Sequence, residues 1–511
     1  MLRSTLLAAL CLLVFPLQAT ALPAAPKAKL APIHVEAGTG GKAGRLVDSR
    51  GREVLLRGVN VNSFAEYAKA SDLPPTLPFT NSDPREIKSF GWNVVRLLIT
   101  WSRVEPSPGK YDDAYLKSVR AAVDKLAAAG IYTIVDMHQD AWGPTLAAAA
   151  SETCPSGQGK AIGWDGAPAW ATFDAGAARC MPAGSRELSP AVRESWKAFW
   201  RNDKGPGAVG LQDRFAAMWG HVAGLFAGRD SVAGYDLLNE PNALGDSEQA
   251  ALPGFYSRTI KAVRAAEKKV RAPRRVIVIE PSIVWSVAGQ GPPPKFAAGP
   301  DVAYGPHLYT GVFGGEGPPQ PASFDAAARE AGALGGLAVV SGEWGADASR
   351  AAAPDRYFRA HQQQQDRIRA SAVLWLWKAS CGDPHQVRDY LARGQAEVWS
   401  PFRTDCATNT VQPRTGAGGE QASELRWSYP LASPGKLEKT SFDPDTGVFE
   451  ARGTAPRRLR AELVVFRPTA AGNGASIRAV GLTSAKRYSV PGGIWIVARS
   501  SGGRWSINIK G

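Results

Sequence analysis

Two glutamates, each closing an apolar run, are the residues of this chain best suited to chemistry. The first ends Leu237-Leu238-Asn239-Glu240-Pro241, and the second lies in Val339-Val340-Ser341-Gly342-Glu343-Trp344-Gly345. A carboxylate that follows a hydrophobic strand projects from the strand's C-terminal end, where barrel enzymes gather their reacting groups. Two such carboxylates facing one pocket suit hydrolysis of a glycosidic bond. One stays protonated to assist the leaving oxygen, and the other stays ionised to attack the anomeric carbon. Glu240, beside Asn239, reads as the general acid/base and Glu343 as the nucleophile, with retention if they stand about 5 Å apart. A lone strand-end glutamate is as often a member of a structural ion pair; the pair together points to catalysis.

Other polar residues end further apolar runs. Arg96, in Val95-Arg96-Leu97, is placed to fix and ionise the nucleophile. Asp136-Met137-His138-Gln139-Asp140 offers His138 and Asp140 to sugar hydroxyls, and Pro306-His307-Leu308-Tyr309 offers His307 and a phenol that reaches Glu343. Trp375 and Trp377 alternate on one run, so both are expected to face the same way and present ring faces to a pyranose. By the same placement rule, His34, His221, His361 and His385 are expected to be non-catalytic. No Gly-x-Ser-x-Gly elbow argues for a serine esterase. No cluster has metal-ligand spacing, so no metal and no cofactor is implied.

The elements that position these groups are legible as near-continuous hydrophobic runs, the pattern of parallel strands covered on both faces. They are 55–60, 93–99, 132–137, 232–238, 276–279, 302–304, 337–340 and 372–377. Helical stripes lie between them, clearest at 113–129 (Tyr115, Val119, Val123, Leu126, then Gly130) and 211–227 (Phe215, Trp219, Val222, Phe226, then Gly228). Eight strands alternating with helices predict a (β/α)8 barrel, an α/β fold, over residues 46–415. Residues 46–56 read as a hairpin turning at Ser49-Arg50-Gly51, after a loose Ala/Pro/Gly-rich leader at 22–45. Residues 143–205 form a long connection over the active face, whose Trp142, Trp164, Trp170 and Phe173 offer an apolar groove or stacking platforms. Past a linker at Thr415–Gly419, short alternating runs from 420 to 511 predict a small all-β sandwich domain.

Residues 1–21 carry Arg3, an apolar stretch from Leu6 to Phe15 and Ala19-Thr20-Ala21, the features of a cleaved export signal. The expectation is a secreted or periplasmic protein. Four cysteines remain after Cys11: Cys154, Cys180, Cys381 and Cys406. They read as two disulfides, of three possible pairings the two local ones being favoured. A formal net charge of +14 fits an anionic envelope or glycolipid surface, or simply a solvated basic surface. Nucleic acid is not an expected partner, because no basic run is long. A monomer is expected, with peripheral membrane contact possible for the β-sandwich.

Taken as a set, Arg96, His138, Asn239-Glu240-Pro241, His307, Tyr309, Glu343 and Trp375 resemble glycoside hydrolase family 5. Trp101-Ser102-Arg103-Val104-Glu105-Pro106-Ser107-Pro108-Gly109, Asp136 to Asp140, Asp165-Gly166-Ala167-Pro168-Ala169-Trp170 and Phe442-Asp443-Pro444-Asp445-Thr446-Gly447 resemble its endoglycoceramidase branch. That resemblance implies cleavage of the β-linkage between a glycan and ceramide, so the expected partner is a glycolipid or oligosaccharide. It also implies sugar-binding roles for Lys69, Asp140 and Trp170 on the glycone side. Cys381-Gly382-Asp383-Pro384-His385 and the 154–180 loop depart from the branch. The alternatives are an endo-β-glucanase or β-glucosidase of the same family, or a non-catalytic carbohydrate- or lipid-binding protein.

Overall fold

A computed structural model describes residues 22–26, 29–311, 319–346, 354–385, 395–396, 400–413, 419–472, 476–483 and 485–511. The expected export signal and most of the expected linker lie outside the described residues. Eight parallel strands close a barrel: β1 Arg57–Val61, β2 Val94–Thr100, β3 Tyr132–His138, β4 Val232–Asp236, β5 Val276–Ile279, β6 Val302–Tyr304, β7 Ala338–Trp344 and β8 Ser371–Leu374. Chain order is ring order, and β8 pairs back onto β1 at Ala372↔Arg57. Every residue of these strands is buried, which is why they read as unbroken apolar runs.

The helices follow their stripes. Helix α1, Asp113–Ala128, starts where the Asp112 carboxylate accepts from Tyr115 N at 2.8 Å. It buries Tyr115, Val119, Val123 and Leu126, and Gly130 ends the turn at φ 73°. Helix α2, Leu211–Phe226, buries Phe215, Trp219, Val222 and Phe226 in the same manner. Among the described residues, no helix is long and apolar enough to cross a membrane.

Residues 22–45 are not simply a loose leader. Ile33–Glu36 is a strand paired with Arg45–Asp48, and Ile33 and Leu46 pack against Val276, Val278, Val340 and Val373 at the barrel floor. The hairpin at 45–54 also joins the C-terminal sandwich rather than the barrel. Ala432 pairs with Val54, which extends the sheet of Tyr429–Pro434, Glu462–Pro468, Gly493–Arg499 and Lys486–Val490 by three N-terminal strands. A second sheet, built from Lys436–Asp443, Val448–Ala455, Ser476–Val480 and Gly503–Lys510, packs with it around Phe449, Val465, Phe466, Ile496 and Trp505.

The 143–205 connection is more ordered than a loop. It contains the short pair Gly159–Lys160 and Cys180–Met181 and the helix Pro190–Trp200. Its aromatics do not form an open groove, because they are consumed in packing. Trp142 lies against Trp101, Trp196 and Phe199, and Phe173 packs on the same core. Two disulfides form, Cys154–Cys180 and Cys381–Cys406, with Cα–Cα distances of 5.6 and 5.5 Å.

Candidate active site

Arg96, on β2, is the hub of the barrel mouth. Its fully buried guanidinium meets four carboxylates: Asp136 (2.9 Å), Asp236 (3.0 Å), Glu280 (3.1 Å) and Glu343 (3.1 Å). It also donates to Asn60 Oδ1 and Asn239 Oδ1, at 3.1 and 2.9 Å. Five donors in a rigid fork allow this, and the carboxylates offset the cost of burying the cation. The Asn239 amide is tied at its other end too, Nδ2 donating to Gln139 O at 2.9 Å. Arg96 therefore fixes the nucleophile Glu343, as its place in the second strand predicts, and Asn239 is held between Arg96 and Gln139 O.

Glu343 lies in β7 and accepts from Tyr309 Oη at 2.8 Å as well as from Arg96. Glu240 lies just past β4, at φ 41°, a left-handed conformation unusual for a non-glycine residue. Two hydrogen bonds hold it there: its N donates to Glu280 Oε2 (2.8 Å), and its carbonyl accepts from Gln139 Nε2 (3.0 Å). Its carboxylate accepts from Ser286 Oγ at 2.7 Å. His307 stands between the two glutamates, its Nδ1 bonded to Glu240 Oε1 (2.9 Å) and 3.6 Å from Glu343 Oε2. A carboxylate oxygen of Glu240 lies within 4.8 Å of one of Glu343.

Burial alone would raise the Glu240 carboxyl, but the bonds from His307 and Ser286 outweigh it and hold the group below its usual range. Burial raises Glu343, against the pull of His307 and Arg96. Burial disfavours charge on His307 too, yet Glu280 and Glu343 lift it well above an ordinary imidazole. These opposite directions favour an ion pair of His307 and Glu240 across their 2.9 Å hydrogen bond.

Beside this centre, His138 stacks on Trp375 (centroids 5.2 Å apart, 14° between planes), and its Nδ1 bonds to Asp136 at 2.7 Å. A second triad, His138–Asp140–Asp165, brings one ligand atom from each residue within 4.8 Å, as Glu240–His307–Glu343 does. Both triads have a guanidinium at hand, Arg96 and Arg186, which supplies the positive charge a metal would otherwise bring.

Three further expected binding residues have other surroundings in the structure. Lys69 is exposed, 3.7 Å from Asp72. Trp170 rests edge-on against Trp101, its Nε1 donating to Glu105 O at 2.9 Å. Trp377 points away from the mouth, donating to Asp83 Oδ1 (2.9 Å) among Phe90, Trp92 and Phe402. Strand β8 ends at Leu374, so the two-residue alternation that paired Trp377 with Trp375 does not extend that far. Glu280, Ser286 and Asp236 were missed. Glu280 carried the same signal as the two catalytic candidates, a carboxylate directly after the apolar run 276–279.

The model of the cellulase family, glycosyl hydrolase family 5, matches residues 47–380. The chain belongs to glycosyl hydrolase family 5. Within that family it is 28% identical to endoglycoceramidase I of Rhodococcus hoagii, over 82% of this chain and 78% of that enzyme. A solved endogalactoceramidase shares 32% identity and a TM-score of 0.83, covering 94% of this chain and all of the other. The lactosyl-enzyme intermediate of endo-glycoceramidase II from Rhodococcus sp. superposes with a TM-score of 0.66 at 25% identity, over 91% of this chain and 99% of that one. This family 5 chain is a glycoside hydrolase on an eight-stranded barrel.

Proposed function

We propose that this enzyme hydrolyses the β-glycosidic bond joining a sugar to a lipid, with retention, Glu343 acting as nucleophile and Glu240 as acid/base. The observation that carries the mechanism is the spacing of the two carboxylates, within 4.8 Å at their oxygens. Retaining enzymes hold theirs about 5 Å apart, whereas inverting enzymes leave room for a water between them. All three relatives compared above along most of their length are ceramide glycosidases by name, which supports the lipid aglycone.

In this reading the anomeric carbon lies between the two glutamates. Proton transfer from His307 along its 2.9 Å hydrogen bond gives Glu240 its acid form. A Glu343 oxygen bonds to the anomeric carbon while the bond to the aglycone oxygen breaks, and that oxygen takes the proton from Glu240. Water then enters from the vacated face; its oxygen bonds to the anomeric carbon as the bond to Glu343 breaks, Glu240 takes its proton and passes it back to His307, and the sugar leaves with its original configuration. Arg96 and Tyr309 aim Glu343 and stabilise its carboxylate before the first step and again as the second releases it.

The expected export signal and the disulfides support a site of action outside the cytoplasm, where we infer a monomer that meets lipid surfaces peripherally. Incubation with glycosylceramides in detergent, followed by mass spectrometry, tests the substrate class. Paired release of sugar and intact ceramide is expected; cleavage of soluble β-glucans alone would overturn it.

A further inference from the structure

Beyond the His138–Trp375 stack, the mouth is closed by charged side chains from two loops. Asp140, just after β3, is held from both sides: Arg186 Nη2 donates to Oδ1 at 2.9 Å, and His385 Nε2 bonds to Oδ2 at 3.0 Å. His385 is fixed in turn by Asp383 (Nδ1 to Oδ1, 2.8 Å), and Asp383 by Asn62 Nδ2 at 3.0 Å. The Arg186 guanidinium lies 4.1 Å over the ring of Trp164 and approaches His385 Nε2 at 2.9 Å. The His385 ring stands 5.7 Å from that of Trp375. Placement at strand ends set His385 aside; the loop after β8 brings it to the site instead.

We propose that the Arg186–Asp140–His385 bridge is the end wall of the glycone side, so that the enzyme selects substrates carrying a single β-linked sugar. This rests on the glycosidase reading above and narrows its substrate class. The sugar is placed on the side of the carboxylates where His138 and Trp375 stand, because their stacked rings offer a pyranose an aromatic face. Its far edge then meets Asp140, which is 3.7 Å from His138 Nε2. Asp140 is only 3% exposed, with both oxygens engaged, so it has little left for a second sugar. Of the other candidates for that role, Trp170 is engaged by Trp101 and Glu105 O, and Lys69 is exposed beside Asp72. The wall is also tethered: Cys180 precedes Arg186 by six residues and Cys381 precedes His385 by four, each in a disulfide.

Aryl glycosides with one leaving group test the wall without a lipid. The kcat/KM for aryl β-galactoside or β-glucoside is expected to exceed that for the β-lactoside or β-cellobioside at least tenfold. Arg186→Gln and, separately, His385→Gln are expected to raise the disaccharide-to-monosaccharide ratio several-fold. Equal or faster cleavage of the disaccharides by the wild-type enzyme would overturn the wall, whatever the glycolipid assay gives. An unchanged ratio in both folded variants would overturn the assignment to these residues. Monosaccharide preference without cleavage of any ceramide glycoside would leave the wall standing and remove the lipid.

Discussion

The mouth of the barrel holds two clusters of similar composition and opposite construction. Each sets a histidine and several carboxylates around an arginine. The Glu240–His307–Glu343 cluster grows from β-strands and the residues just past their C-terminal ends, and its Arg96 is completely buried. The His138–Asp140–Asp165 cluster is joined to it through Asp136, which bonds both Arg96 and His138, but Arg186 and His385 come from loops and stay partly exposed. Strands fix atoms to the tolerance that bond-breaking needs, while loops can differ between relatives without disturbing them. The comparison assigns chemistry to the first cluster and choice of sugar to the second.

The largest expected effect falls on the first cluster alone. Glu343→Gln should lower kcat by about 10⁴-fold and Glu240→Gln by roughly 10²- to 10⁴-fold, with unchanged circular dichroism. Activity within tenfold of wild type in either would break the division of labour. Arg96→Met should abolish turnover and also cost about 3–5 kcal/mol in urea denaturation, because four carboxylates lose their shared cation. Glu280→Gln should reduce kcat up to about a hundredfold by loosening the φ 41° conformation of Glu240. An unaltered kcat there would show that the conformation does not need Glu280.

Loss of a disulfide should separate the clusters from the other direction. Cys381→Ser with Cys406→Ser opens a loop of sequence separation 25, worth roughly 3 kcal/mol of stability. It should change the disaccharide-to-monosaccharide ratio more than the rate on monosaccharides. The smallest effect is on pH. Burial opposes charge on His385, but Asp383 and Asp140 raise its pKa to about 9, from the 6.5 of an ordinary imidazole. Its contribution to stability is therefore complete below pH 6.5, and it fades as pH rises and is gone above about 9. Melting temperatures should fall across that window in the wild type and less so in His385→Gln; parallel curves would show that the imidazole is not charged.

The barrel was legible because parallel strands buried on both faces must be apolar throughout, and Glu240 and Glu343 were legible because they end such strands. What remained hidden depended on partners distant in sequence. Ile33-His34-Val35-Glu36 alternates like a strand, but only pairing with 45–48 and the barrel floor gives it a place. The hairpin's membership in a sheet with residues near 432 is equally non-local. Trp377 was misdirected because β8 stops three residues before it, and strand ends are poorly marked when a buried run continues into a turn. Trp142 and Phe173 looked like a groove because sequence cannot tell an aromatic that lines a cleft from one packed beneath it. His385 gave no sign of its role, since the bond that reveals it joins the β8 loop to Asp140 across 245 positions.

The central claim, a covalent intermediate on Glu343, is tested most directly by trapping. Incubation with an activated 2-deoxy-2-fluoro β-glycoside, whose fluorine slows the second step, should inactivate the enzyme with release of one leaving group per active site. Peptide mass spectrometry should then find one added sugar on the peptide containing Glu343. A sugar on another residue, or first-formed product of inverted configuration, would contradict the account.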